Sequence, residues 1–395
     1  MPTAGPGNRA DFVGHLTRFS PTPLPLLDLT RQIHSLKRPL QAAFNRVLHS
    51  GQFILGEEVS AFEREFARFC RSRYAIGVAS GSDALELTLR ALAIGPGDLV
   101  ATVSFTFMAT VDAISHVGAS PLFVDIDPTT FTMDPEDLER KLSKLHRSQR
   151  RKVKAILPVH LFGNPCDMDR LLKISKRLGL FLIEDTAQAL GAHWKGAPVG
   201  SLGEAGCFSF FPSKNLGGFG DGGMVLTPSS KIAQKIRSLR IHGRDPRKGL
   251  AIALGRNSRL DALQAALLRV KLRYVSGWIL RRRELARVYT QTLKKIPGIR
   301  VPSVTPGATH AYSLYVIRAR SRDLLKRELA KVGIDTQVYY CLPVQGQGIY
   351  RKLYRRIRLP QTEKACQEVL ALPLFPEMTL EEVARVCRSI RTIVS

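Results

Sequence analysis

The chain has 395 residues, 44% of them hydrophobic, a length beyond what one core usually serves, so a large domain with a smaller companion is expected. Its six cysteines, Cys70, Cys166, Cys207, Cys341, Cys366 and Cys387, form no CxxC pair and no His/Cys cluster at ligand spacing, which argues against a disulfide scaffold and a structural metal. Against 33 Asp+Glu stand 59 Lys+Arg, a formal charge of +26, yet the basic residues are scattered and no zinc finger, recognition helix or RNA-binding motif accompanies them. A solvated basic surface that favours anionic ligands is expected, and a nucleic-acid partner is not.

The N-terminal stretch "MPTAGPGNRADFVGHLTRFSPTPLPLLDL" has no apolar core behind a basic start. No window reaches about 18 uncharged apolar residues, so the expectation is a soluble, cytoplasmic protein with no membrane partner. Residues 1–24 read as a mobile leader rich in Pro and Gly. From Leu36 to Phe69 apolar positions recur at helical spacing around the turn "SGQFILGEE". The strand "YAIGVAS" then runs into Gly81-Ser82-Asp83 and the helix "ALELTLRALAI".

The alternation continues with the strand "LVATVS", a helix over 106–117, the strand "SPLFVDI", the helix "DPEDLERKLSKL" and the strand "VKAILPVH". The helix "DMDRLLKISKRLG" and the strand "LFLIED" follow. These strands are apolar throughout, as in a sheet covered on both faces. The fold class is therefore α/β, a mostly parallel sheet wrapped by helices. Beyond Leu260 comes a long basic amphipathic segment, then "YSLYVIRA", "SRDLLKRELAKVG" and a helix over 380–393. Residues 25–265 are assigned to the large domain and 266–395 to a smaller C-terminal α/β domain.

Three features fall at carboxyl ends of strands, where ligands bind in such sheets. Gly81-Ser82-Asp83 offers N–H groups at a helix start and the Ser82 hydroxyl to an anion such as phosphate; a plain N-cap by Ser82 accounts for it equally well. Asp185, ending the apolar run in "IEDTAQ", needs a cationic partner if it is buried, and the protonated nitrogen of a pyridine cofactor is one candidate. It could equally cap the next helix. Lys214, in "CFSFFPSKNLGGFGDGG", has aromatic neighbours that disfavour its ammonium form and suit a Schiff-base amine; taken as an isolated lysine, snorkelling from a strand end is the better reading. Ser209, five residues earlier, can donate to the same phosphate as Ser82.

Blocks such as "YAIGVASGSDALELTLRALAIGPGD", "VSFTFMAT", "PVHLFGNPCDMD", "IEDTAQALGAHWKG", "VGSLGEAGCFSFFPSKNLGGFGDGG" and "GRNSRLDALQAALLRVKL" make the chain resemble the DegT/StrS-type sugar aminotransferases, fold type I enzymes that use pyridoxal 5'-phosphate. The similarity runs from "PLLDLTRQ" to the last helix. It implies that Lys214 forms the Schiff base and shuttles the proton, that Asp185 pairs with the pyridinium nitrogen, and that Gln188 bonds the phenolate oxygen. It further implies that Phe107 stacks on the ring and that Gly81, Ser82, the Asp83 backbone and Ser209 hold the phosphate. Asn257 would reach that phosphate from the other subunit, which implies a homodimer with shared active sites.

The reaction implied is a two-stage amino transfer from L-glutamate to an oxo nucleotide sugar. "KNLGGFGDGG" resembles members acting on 3-oxo rather than 4-oxo sugars, of the dTDP- or UDP-linked type. Departures fall on the substrate side. "YYCLPVQGQ" stands where the family has "HYxxPLHxQ", so that Tyr339 and Gln345 replace histidines; Tyr340 is retained, and Ser313 precedes "LYVIR" although His310 remains. His310, Tyr339, Tyr340 and Gln345 are the expected substrate contacts. A related sugar dehydratase would carry histidine in place of Lys214. The alternatives are an aminotransferase for 4-oxo nucleotide sugars and a non-catalytic basic binding or regulatory protein on the same scaffold.

Overall fold

Asp28 opens the first of the described helices by accepting from the N–H of Thr30 (2.9 Å) and Arg31 (3.4 Å), and Gly51, at φ 64°, closes it. In the computed structural model, which describes residues 22–245 and 248–394, this helix α1 (Leu29–Ser50) is followed by α2 (Gly56–Phe69). Of the leader expected over 1–24, residues 1–21 lie outside the described residues. Leu24 is buried and forms a parallel bridge with Ile334.

The alternating segment folds as β1 (Tyr74–Val78), α3 (Gly81–Ala91), β2 (Leu99–Val103), α4 (Ala109–His116), β3 (Ser120–Val124), α5 (Pro135–Lys144), β4 (Val153–Leu157), α6 (Met168–Leu178) and β5 (Phe181–Asp185). Next come β6 (Ala205–Ser209), β7 (Gly223–Thr227) and α7 (Ser230–Leu239). The seven strands form one sheet in the order β1-β7-β6-β5-β4-β2-β3. The pairings among β6, β5, β4, β2 and β3 are parallel, and β7 alone runs against its neighbours β1 and β6. Short apolar strands and covering helices agree with the sequence reading.

Register places the site. Gly223 of β7 stands opposite both Val78 and Ser209, so the turn leaving β1 lies beside the end of β6. A Cβ on Gly223 would sit 2.2 Å from the Ser80 carbonyl oxygen; only glycine allows that approach.

The long basic segment is two helices, α8 (Ala262–Leu272) and α9 (Val275–Leu293). Past residue 266, Leu268, Leu272, Val275 and Ile279 still pack in the core of the large sheet, whereas Leu285, Tyr289 and Leu293 belong to a second core. That second core is built on an antiparallel sheet of Ile299–Arg300, β8 (Tyr315–Ala319) and the later strand β9 (Val369–Leu372). Around it lie α10 (Arg322–Lys331), α11 (Gly348–Tyr354), α12 (Pro360–Glu368) and α13 (Leu380–Val394). No described helix is long and apolar enough to cross a membrane.

Candidate active site

A cavity of about 1310 Å³ opens at the carboxyl ends of the strands and takes part of its wall from the C-terminal unit. Lys214, Asp185, Gln188, Phe107, Ser82 and Ser209 all line it, although they come from four segments of the chain.

Asp185 is the last residue of β5 and is 5% exposed. Its carboxylate accepts from the Thr110 hydroxyl (2.8 Å) and the Ala187 N–H (3.1 Å). Burial nonetheless pushes its pKa up, opposed by those two bonds and by the charges of Lys214 and His160. Glu184, one residue earlier, points to the opposite face, as strand alternation requires. There it accepts from the N–H groups of Gly200 (2.7 Å), Leu202 (2.8 Å) and Gly203 (2.9 Å) and pairs with His160 Nε2 (3.0 Å). Because His160 Nδ1 accepts from the Cys166 N–H (3.0 Å), the ring proton sits on Nε2, toward Glu184.

Lys214 lies in the loop after β6, tied by its own N–H to the Phe211 carbonyl (2.8 Å). Desolvation lowers its pKa and Asp185 partly restores it. The aromatic flank contributes less to this than its spacing suggests. Phe208 and Phe210 turn into the core, edge-on to Phe66 at 5.1 and 5.4 Å, while Phe211 and Phe219 are exposed.

The helix start differs in one detail from the sequence reading. Ser80, not Ser82, is the N-cap, and its hydroxyl accepts the Asp83 N–H at 3.0 Å. The Asp83 carboxylate turns away to Ser258 (2.7 Å) and Arg256 (3.2 Å). Asp83 is therefore absent from the cavity wall, and the donors facing it are the first N–H groups, of Gly81 and Ser82. A Cβ on Gly81 would stand 2.7 Å from Ser209 Cβ.

A family model described as the DegT/DnrJ/EryC1/StrS aminotransferase family matches residues 35–391. The chain belongs to this family. A pleiotropic regulatory protein of Geobacillus stearothermophilus is 44% identical over 362 residues, 91% of this chain and 95% of that one. A dTDP-3-amino-3,4,6-trideoxy-alpha-D-glucose transaminase of Streptomyces venezuelae is 40% identical over 369 residues, covering 93% and 95%. The solved structure of S. venezuelae DesV in complex with a ketimine intermediate superposes with a TM-score of 0.90 at 39% identity, covering 95% of this chain and 99% of that one.

The family's cofactor, pyridoxal phosphate, fits the side chains present in this aminotransferase. A buried carboxylate whose pKa is raised by desolvation calls for a cation such as a protonated ring nitrogen. A cup made of two serine hydroxyls and the start of an eleven-residue helix, α3, calls for a phosphate. Phe107, 59% exposed, offers its ring to the cavity. Gln188 accepts from the Phe162 N–H (2.9 Å) and donates to the Tyr340 hydroxyl (2.8 Å). One Nε2 hydrogen thus remains for a ligand.

The expected substrate residues divide. Tyr339 and Tyr340 line the cavity. His310 does not: it is buried elsewhere, stacked on Tyr312 at 3.9 Å between ring centroids, with Nδ1 accepting the Tyr312 N–H (2.8 Å). Gln345 is mostly buried, bonded to the Ser104 hydroxyl, and is absent from this cavity's wall, although it lines the groove that adjoins it. Asn257 is exposed, bridged to Ile241, and lies outside this chain's own cavity wall. The residue that sequence reasoning missed is Thr110, which orients Asp185 and receives a bond from Thr106 at 2.9 Å. Its only signal was the i, i+4 pair of threonines in "TFMAT".

Proposed function

We propose that this aminotransferase moves an amino group from L-glutamate to the keto carbon of a 3-oxo nucleotide sugar. Each active site would be completed by Asn257 of the partner subunit in a homodimer. The observation that carries the reading is the convergence of Lys214, Asp185 and the Gly81–Ser82–Ser209 cup on one cavity. A protein that had kept the fold only for regulation would have no need for a desolvated amine facing a desolvated carboxylate.

Bound pyridoxal phosphate would supply an aldehyde and an electron-withdrawing ring that takes up the electron pair left when a Cα–H bond breaks. Ser82, Ser209 and the first N–H groups of α3 take the phosphate charge. Asp185, oriented by Thr110, accepts the ring N–H and keeps that nitrogen protonated. Phe107 covers one ring face and Gln188 Nε2 donates to the phenolic oxygen. Lys214 Nζ, neutral in larger share because it is desolvated, would be the base that takes the donor's Cα proton and the acid that delivers it to the cofactor's aldehyde carbon. The same amine serves both halves of the reaction.

The preference for the 3-oxo sugar rests on "KNLGGFGDGG" and on the 3-amino sugar for which the S. venezuelae transaminase is named. Purified protein should show a visible cofactor band that L-glutamate bleaches. A colourless protein that takes up no added cofactor would overturn the reading. A panel of 3-oxo and 4-oxo nucleotide sugars then tests regiochemistry, and faster amination at the 4-position would reverse that choice.

A further inference from the structure

The run "RKLYRRIR" supplies five cations in eight residues, Arg351, Lys352, Arg355, Arg356 and Arg358, and none of the roles above uses them. Arg351 and Lys352, on α11, line the mouth of the active-site cavity. Both also line a second, more open groove of about 740 Å³. The two hollows share Leu342, Gly346, Arg351 and Lys352, so they form one trough running outward from Lys214.

The inner cavity carries Asp185 and Asp221 beside Lys214, whereas charge in the outer part of the trough is one-sided. The outer groove is lined by Arg351, Lys352, Arg355 and Arg358 and by a single carboxylate, Glu363. Arg358 takes both oxygens of Glu363, at 3.0 and 2.9 Å. Among the described residues Arg351, Lys352 and Arg355 form no ion pair. Unpaired cations crowded on one wall repel one another, and a multiply charged anion bound between them relieves that repulsion. An Arg beside a Lys suits adjacent phosphates, since the guanidinium bonds two oxygens at once and the ammonium acts as a point charge.

Order along the trough matches a ligand with a fixed sequence of parts. The inner end holds the reacting amine, the next stretch has Tyr339 and Tyr340 in its wall, the cations follow, and Tyr354 and Ile357 offer apolar surface outside. The cavity alone exceeds the roughly 300–1,000 Å³ of most small-ligand pockets, which leaves room beside a cofactor. We infer that Arg351 and Lys352 bind the diphosphate of the sugar substrate, with the nucleoside lying outward along Arg355 and Tyr354. This rests on the nucleotide-sugar reading above and assigns a subsite within it.

The test is calorimetric titration of the cofactor-loaded protein with dTDP, UDP and inorganic pyrophosphate, for wild type, the double variant Arg351→Gln/Lys352→Gln, and Arg356→Gln. All three positions are exposed, and a thermal melt checks that each variant is folded. The double variant should lose about tenfold or more in affinity for dTDP and UDP, as expected for two charge-assisted contacts. Arg356, which lines neither hollow, should behave as wild type when replaced. The inference is overturned if wild type binds neither nucleotide, if the double variant binds as wild type does, or if Arg356→Gln loses as much, which would make the effect one of bulk charge. Tighter binding of a single-stranded oligonucleotide than of dTDP would also overturn it. Bleaching of the wild-type cofactor band by glutamate is read separately. Its failure would sink the aminotransferase reading, whereas failure of the titration alone would sink only the subsite.

Discussion

Burial acts in opposite directions on the two charged groups of the cavity. It favours the neutral amine of Lys214 and resists the carboxylate of Asp185, so a ligand that brings a proton for Asp185 and an electrophile for Lys214 relieves both costs. Lys214→Ala should therefore lower turnover by more than about 10⁴-fold, the upper range of acid–base catalysis, while cofactor is still retained noncovalently. Stopped assays and cofactor retention after gel filtration check this, and appreciable remaining turnover would refute the assignment. His310 shows the reverse outcome for an expected site residue. Burial, helped by the charge of Arg283, drives its pKa down to about 3. The unfolded chain binds the proton near pH 6.5 and the folded protein only near 3, so the stability His310 contributes is complete above about pH 6.5. It falls by about 1.4 kcal/mol per pH unit as acid is added through that window. Urea melts between pH 7 and 4 should show a shallower decline for His310→Gln; an unchanged slope would refute the buried neutral histidine. Lys214 and Asp185 were legible in the sequence because each breaks a local rule, a charge at the end of an apolar run. Thr110 was not, because a hydroxyl in a helix looks the same whether it faces solvent or a carboxylate.

At the scale of elements, strand alternation separates Glu184 from Asp185, and the reversal of β7 brings the end of β1 beside the end of β6. The glycine tail behind Lys214 has its own element-level reason. A Cβ on Gly217 would lie 2.0 Å from the Pro212 carbonyl oxygen, and Gly218 donates to Phe210 O at 2.7 Å. Tight folding of the loop thus accounts for these glycines without regard to which sugar carbon is aminated; the regiochemical hint comes from resemblance alone. Lys271 of α8 fastens the loop, its buried ammonium donating to the Gly217 carbonyl near the rings of Phe219 and Trp278. Lys271→Met keeps the apolar stem and deletes the donor. It should cost about 1–3 kcal/mol by leaving that carbonyl unpaired, read as a shift in urea midpoint; no shift would mean that the loop holds itself. The order of strands and helices was readable from apolar runs and turns. The break between α8 and α9 was not, since basic amphipathic spacing continues across Arg273 and Tyr274.

At the scale of the molecule, the segment carrying Asn257 also exposes Leu250, Ile252 and Leu254, the last at 89%. Exposed apolar side chains grouped beside a polar residue are what a self-complementary interface presents. In the proposed dimer Ile252→Glu/Leu254→Glu should move the protein toward monomer in sedimentation velocity and weaken cofactor binding at least tenfold, because Asn257 of the partner subunit would be withdrawn. A variant that stays dimeric with full cofactor affinity would remove this segment from the interface. The sequence by itself determined the α/β class, the lysine, the carboxylate and the family, because apolar periodicity and the chemistry of a charged residue in an apolar run are local properties of the chain. Only the tertiary structure decided that Ser80 caps the helix, that Asp83 and His310 leave the wall, that Gln345 lines the outer groove and not the inner cavity, that Thr110 orients Asp185, and that the basic run lines a trough continuous with the site. Each of those depends on the pairing of segments far apart in sequence, and register and packing set that pairing where spacing does not.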